Sequence, residues 1–352
     1  MTPDVFDFDW MPDARGLVFA SNRTGLMTLS KIALTGGEPE PLAGVSGGGD
    51  ITLSVARLGS RLVYEQSLRD LNIYRIPRPG LDWRNDFENE HQPIPLIPST
   101  VAQVDPQFSP DGKQIAYSTY KEIWTCNVDG ANRIQLTDLG AQVVGSPRWS
   151  PDGTHIAFDS DNNGKMEIFI VPARGGLTRR VTPESLKAVL PSWSRDGQLI
   201  YFASIQTGDW QVWKVPSGGG PAVQVTRHGG WEAFESVDGQ WLYYTKDHRF
   251  RGVWRVPVGG GEESQMLKQG RAQAWAIVAS GIYLSEDEAS GPAAIYFYSF
   301  ATHGLNRLFT MPKGLRIRRF NGNLAVSPEG RSVLIVASER VESDLMLVEN
   351  FR

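Results

Sequence analysis

The segment Pro106-Gln-Phe-Ser-Pro-Asp-Gly112 returns as Pro147-Arg-Trp-Ser-Pro-Asp-Gly153 and again as Pro191-Ser-Trp-Ser-Arg-Asp-Gly197. A weaker copy is Ala233-Phe-Glu-Ser-Val-Asp-Gly239, and remnants stand at Trp10-Met-Pro-Asp13 and Val326-Ser-Pro-Glu-Gly330. The aromatic anchors Phe108, Trp149, Trp193, Phe234 and Trp275 are 41, 44, 41 and 41 residues apart. A fixed period of that size marks a repeat architecture and limits the chain to folds built from one stacked unit.

The second half of each unit repeats as well. Ile123-Trp124, Ile168-Phe169, Val212-Trp213, Val253-Trp254 and Ile295-Tyr296 are equivalent β-branched/aromatic pairs, and glycine turns such as Gly175-Gly176 and Gly218-Gly219-Gly220 follow several of them. Each unit reads as four short strands. The first carries the aromatic anchor, and the second alternates, as in His155-Ile-Ala-Phe-Asp159. The third holds the β-branched pair, and the last is a short piece such as Arg180-Val-Thr182. In Ser-Pro-Asp-Gly the proline presets φ at the first central turn position and Asp-Gly accepts the tight geometry after it, so a bulky residue at Gly153 is expected to strain the turn. Sheets apolar on both faces need a neighbour on each side. Four-stranded units of this length meet that need by packing radially, so the expected fold is all-β: a single β-propeller over 1–352.

Eight units are expected, at about 7–42, 51–97, 104–137, 145–182, 189–226, 230–267, 272–309 and 321–351, with seven as the alternative. The second is degenerate and carries an insert, Arg78–Pro95. The eighth stops after its third strand, Asp344-Leu-Met-Leu-Val348, and only about six residues precede the first strand to complete it. The expectation is an open or three-stranded last blade, or a chain cut from something longer.

Composition removes several classes. Cys126 is the single cysteine, which excludes an internal disulfide framework. No apolar run is long enough to span a bilayer, and the first ten residues lack the features of a signal peptide. Read as it stands, the chain is cytoplasmic; behind a signal or membrane segment it would be periplasmic. A net charge of −4 with no basic block argues against direct nucleic-acid binding.

With the turns and their following strands in view, the chain resembles the TolB-like, WD-type propeller repeat, most strongly over 104–226. Trp193-Ser-Arg-Asp-Gly-Gln-Leu-Ile-Tyr-Phe-Ala-Ser204, Gln211-Val-Trp-Lys-Val-Pro216 and the ending Ser343–Arg352 further resemble the C-terminal propeller of bacterial winged-helix regulators of the CadC or OmpR type. The resemblance implies a sensing or interaction module. No winged helix stands in these residues, so DNA binding would belong to a missing segment.

Chemical motifs are sparse. Gly44-Val-Ser46-Gly-Gly48 matches a nucleophile elbow but lacks the helix that such an elbow needs, and reads as an inter-unit loop. Asp159-Ser-Asp161-Asn-Asn163-Gly164 opens like a calcium loop but has Ile170 where the bidentate acid belongs, and reads as a polar hairpin turn. His91, His155, His228, His248 and His303 show no ligand spacing, so no metal is expected. His155 alternates outward from Ile156 and Phe158, and reads as a surface histidine. The run Arg316-Ile-Arg-Arg319 reads as a solvated loop, and most tryptophans repeat with the units and read as core. Trp231 has no aromatic counterpart in units three to five and is the tryptophan most open to exposure.

Loops that lead into the first strands converge near the axis of a propeller, where binding groups gather. The candidate ligand residues are Asp105, Gln107, Arg148, Ser192, Trp231 and Glu232. The expected function is binding of an unknown protein, a peptide or a small polar ligand by a monomer, without catalysis or cofactor. The alternatives are a metal-assisted lyase or hydrolase with an axial site, and a TolB-like envelope scaffold.

Overall fold

The computed structural model describes residues 5–21, 27–47, 51–57, 60–69, 71–77, 92–99, 101–161, 164–184, 186–247, 251–286, 292–317, 324–338 and 341–351. Among them every regular element is a strand, and no helix is long and apolar enough to cross a membrane. His91, and with it most of the Arg78–Pro95 insert, lies outside the described residues, as do His248, Arg318 and Arg319. By contacts the chain divides into two compact units, Met1–Asp70 with Glu339–Arg352, and Leu71–Ser338.

The first unit starts with a four-stranded antiparallel sheet of β1 (Val5–Trp10), β2 (Gly16–Ser21), β3 (Met27–Ala33) and β4 (Glu40–Gly47). The pair β5 (Ile51–Val55) and β6 (Arg61–Arg69) follows. The second unit opens with β7 (Asn72–Pro77) and β8 (Ile94–Pro95). Five four-stranded sheets succeed them. The first comprises β9 (Val104–Phe108), β10 (Gln114–Ser118), β11 (Ile123–Asn127) and β12 (Ile134–Gln135). Next come β13 (Val144–Trp149), β14 (His155–Asp161), β15 (Met166–Pro172) and β16 (Arg179–Arg180). The third holds β17 (Ala188–Trp193), β18 (Leu199–Ser204), β19 (Gln211–Pro216) and β20 (Val223–Gln224). The fourth holds β21 (Ala233–Glu235), β22 (Trp241–Tyr244), β23 (Val253–Pro257) and β24 (Ser264–Leu267). The fifth holds β25 (Trp275–Val278), β26 (Gly281–Glu286), β27 (Ala294–Ser299) and β28 (Leu305–Thr310). The unit ends with β29 (Arg316–Ile317), β30 (Leu324–Val326) and β31 (Ser332–Ser338). β32 (Val341–Glu349) then returns to the first unit.

The all-β propeller architecture holds, and the described residues form eight sheets. Two strand partnerships differ from the sequence expectation. β31 takes β7 as its third strand, with Asn72 opposite Ala337 and Pro77 opposite Ser332, and β8 completes that sheet as its outer strand. Asp344–Val348, expected beside β31, lies in β32 and pairs with β6, giving the three-stranded sheet β5-β6-β32. The second expected repeat is therefore shared between two sheets.

Alternation explains the stacking. In β14 the side chains of Ile156 and Phe158 join Ala116 and Ile123 of the preceding sheet, while Ala157 joins Ile200 and Phe202 of the following one. β15 splits the same way, Phe169 and Val171 on one side and Ile168 and Ile170 on the other. Each wholly buried side chain of this kind contributes about 1.5–3 kcal/mol. The circuit of the second unit closes through β7 and β31. Ile73, Leu334 and Val336 pack on Phe108 and Tyr117 of the first sheet, and Tyr74, Ile76 and Ile335 on Tyr283 and Ile295 of the fifth. The first strands of successive sheets touch one another, β9 to β13, β13 to β17, β17 to β21, β25 to β30 and β30 to β9, so these strands line the axis.

Candidate functional site

The starts of the inner strands in Leu71–Ser338 define one rim of this ring, its leading face. Asp105, Ser146, Leu190 and Gln273 stand there with φ of 56°, 52°, 58° and 63°. Left-handed backbone costs a residue with a side chain roughly 1–2 kcal/mol. Each of three kinks aims its amide at a carboxylate of another strand. The Ser146 amide donates to Asp105 Oδ2 at 3.0 Å, the Leu190 amide to Asp159 Oδ2 at 2.7 Å and the Gln273 amide to Glu232 Oε2 at 2.7 Å. The strain is thus held by hydrogen bonds that run from sheet to sheet.

These carboxylates are buried, and burial decides their chemistry. Desolvation pushes Asp159 up to about 6, with the Asp105 charge adding to the rise and the Leu190 amide opposing it. Desolvation likewise pushes Glu232 up to about 7, against the pull of Arg148, the Gln273 amide and Trp275. Asp105 and Asp159 share Gly145: a Cβ there would lie 3.3 Å from Asp105 Oδ2 and 3.2 Å from Asp159 Oδ1. A side chain at that position would press on both carboxylates, which would have to give by a few tenths of an ångström.

Arg148 ties the group together. Its Nη2 donates to Glu232 Oε1 at 3.3 Å, its Nη1 donates to the Pro147 carbonyl, and its guanidinium lies 5.3 Å from the Phe234 ring centre. Arg148 is in the second sheet and Glu232 leads into the fourth, so the ion pair passes over the sheet between them. That intervening sheet contributes Ser192, a buried hydroxyl with no protein hydrogen-bond partner.

The six proposed ligand residues therefore separate into groups. Arg148 and Glu232 form one contact, and Asp105 couples to it electrostatically. Gln107 and Arg148 also serve through their backbones, since Trp149 Nε1 donates to the Gln107 carbonyl at 3.2 Å and Trp193 Nε1 to the Arg148 carbonyl at 3.0 Å. Trp231 does not join the ion pair; it is half-buried and meets Trp210 edge-on at 4.4 Å.

Sequence reading missed two features. Asp159 and Asp161 are not a hairpin turn but buried residues of β14, and Asp159 belongs to the axial layer. A hydroxyl also recurs at the end of every second strand in this unit: Ser118, Ser160, Ser204, Thr245, Ser285 and Ser338, all buried. The signal was present, because a Ser or Thr stands there in each repeat. Ser118 Oγ donates to the Val144 carbonyl, whereas the hydroxyls of Ser160, Ser204 and Thr245 have no protein partner. Among the described residues no group of three or more His, Cys, Asp and Glu side chains is arranged to hold a metal ion. Cys126 is buried, and burial pushes its thiol up to about 12, far from a reactive thiolate. Ser46 lies in β4 without a helix after it among the described residues.

The profile of the TolB beta propeller domain matches residues 85–273, more than half of the chain. The chain belongs to the TolB β-propeller family. Among its relatives is a Protein TolB homolog of Chlorobium luteolum, 27% identical over 166 residues, 46% of this chain and 35% of that protein. Another is the "Uncharacterized peptidase YuxL" of Bacillus subtilis, 33% identical over 97 residues, 24% of this chain and 15% of that protein. The matched stretches thus span well under two thirds of these curated relatives. Among solved structures, a putative TolB from Agrobacterium tumefaciens shares the fold with a TM-score of 0.61 at 18% identity, covering 77% of this chain and 98% of its own. The expectation that the chain is no enzyme is overturned, because its sequence relatives include a named peptidase beside TolB.

Proposed function

We propose that this TolB-family chain binds a small polar ligand, or the end of a peptide, at the leading face of Leu71–Ser338. The reading is supported above all by the ion pair of Arg148 and Glu232, which spans two non-neighbouring sheets beside the buried acids Asp105 and Asp159. Three acids face one guanidinium, so the arrangement suits a ligand that carries positive charge, such as a peptide amine. The buried hydroxyls of Ser160, Ser192, Ser204 and Thr245 supply further hydrogen-bonding capacity in the same layer.

Calorimetric titration with a panel of short peptides and polyamines tests this. Saturable binding that Asp105→Ala and Arg148→Ala both weaken is expected. Binding untouched by either change counts against the site.

An enzymatic use of the same group has one specific observation in its favour. Asp159 near 6 and Glu232 near 7 bracket the range in which a carboxyl can exchange protons at neutral pH. Turnover of a panel member that Glu232→Gln abolishes would establish it. A place behind a DNA-binding domain in a longer regulator rests on residue resemblance alone, and the reading frame upstream of Met1 tests that.

A further inference from the structure

Among the described residues one sheet stops at three strands. In the first unit the order is β5-β6-β32, whereas every other sheet has four strands or more. β32 pairs with β6 through nine consecutive residues without a bulge, from Val341 opposite Arg69 to Glu349 opposite Arg61. Among the described residues its other edge has no strand partner.

Exposed edges in natural sheets are blunted by charged side chains (lysine above all), proline, a bulge or shortness, because a regular edge recruits further strands. β32 is long, without a bulge, lysine or proline, and charged only by its acids: its sequence is Val-Glu-Ser-Asp-Leu-Met-Leu-Val-Glu, whereas the outer strands β8, β12, β16 and β20 are two residues each, β24 four and β28 six, and only β4, at eight, approaches it. Leu345, Met346 and Leu347 are 77%, 43% and 54% exposed. Leu345 and Leu347 lie on one face of the sheet. Met346 and Val348 lie on the other, where Val348 packs against Leu62 and Tyr64.

We infer that β32 is a docking edge that takes an extended segment of another protein, one alternating apolar and basic residues, as the fourth strand of its sheet. The apolar residues would cover Leu345 and Leu347, and main-chain hydrogen bonds along the edge would supply affinity. Charge selects the partner. β32 holds Glu342, Asp344 and Glu349 and no cation, with Glu349 already paired to Arg61 of β6 at 3.8 Å, so a second copy would add three more acids and no cation. A strand of lysine or arginine at alternate positions has the complementary sign.

The test titrates the full chain with a fluorescent nonapeptide of alternating valine and lysine. A peptide of the same composition in two blocks is the control, and hydrogen exchange locates the protection. The alternating peptide is expected to bind, to slow exchange along 341–349, and to bind about fivefold more tightly than the block peptide. Asp344→Lys, at an exposed position, should weaken it about fivefold and create binding of a valine–glutamate alternating peptide. Asp344→Ser should fall between, and both variants should keep the wild-type circular dichroism spectrum. Equal binding of the block peptide, protection confined to other strands, or indifference to Asp344→Lys would overturn the inference. So would concentration-dependent dimers in ultracentrifugation with β32 protected, which would make the occupant a second copy.

Discussion

At Gly153 the repeat's turn shows why one residue type is required. Its φ is +70°, its amide donates to the Ser150 carbonyl at 2.9 Å, and Asp152 accepts from the Ser150 hydroxyl and the Thr154 amide. Gly112, Gly197 and Gly239 share the same φ of 70°. Because a Cβ at the position would meet only Pro110 Cδ, at an ordinary contact distance of 3.8 Å, strain alone sets the cost: Gly153→Ala should lose about 1–2 kcal/mol in urea denaturation. Glu232 makes a different prediction. Its carboxyl has an ordinary value of 4.5 and is raised to about 7 in the fold, so across that window the unfolded chain releases a proton that the folded chain keeps. Stability contributed by the protonated form is complete below 4.5 and is lost as pH rises through 7. Chemical denaturation from pH 6 to 8, above the range in which Asp159 adds its own fall, should therefore show a falling slope in the wild type that Glu232→Gln flattens. A parallel slope in the variant would place the titration elsewhere.

Between elements, the links that matter run from one sheet to the inner strand of the next. Asp159 accepts from Leu190, and in the first unit Asp7 and Asp9 accept from Leu53 and Val55, both at 2.8 Å. Asp159→Asn retains an acceptor and removes a buried charge, so it should cost little near pH 8. Asp159→Ala strands the Leu190 amide and should cost about 1–3 kcal/mol. Equal losses for the two would show that the hydrogen bond is not what holds the kink. Strand identity and order within a sheet were legible in the sequence, because alternation, turn residues and aromatic anchors repeat every 41 to 44 residues. The carboxylate layer was only half legible. Asp105 and Glu232 stood out at the starts of units, but Asp159 was masked by a motif that looks like a turn, and its role depends on Leu190, which is 31 residues away.

For the whole molecule, what the repeat could not tell was which strand completes which sheet. Asn72-Ile-Tyr-Arg-Ile-Pro77 and Asp344-Leu-Met-Leu-Val348 have similar alternation, and either could stand third beside β31. The nearer in sequence is the natural guess. The structure instead uses the segment at the opposite end of the unit, whose Ile73 and Tyr74 face two different cores. Closure by β7 leaves Leu71 and Ser338 as the two bounds of the unit, and frees β32 to pair with β6. Disulfide trapping tests this account most directly, since the pairs it joins must have Cα atoms within about 7 Å. In the full chain, Pro77→Cys with Ser332→Cys, and separately Arg61→Cys with Glu349→Cys, should each form an intramolecular disulfide under mild oxidation, seen by mass spectrometry after proteolysis. Failure of the 77–332 disulfide, with the thiols free, would contradict it.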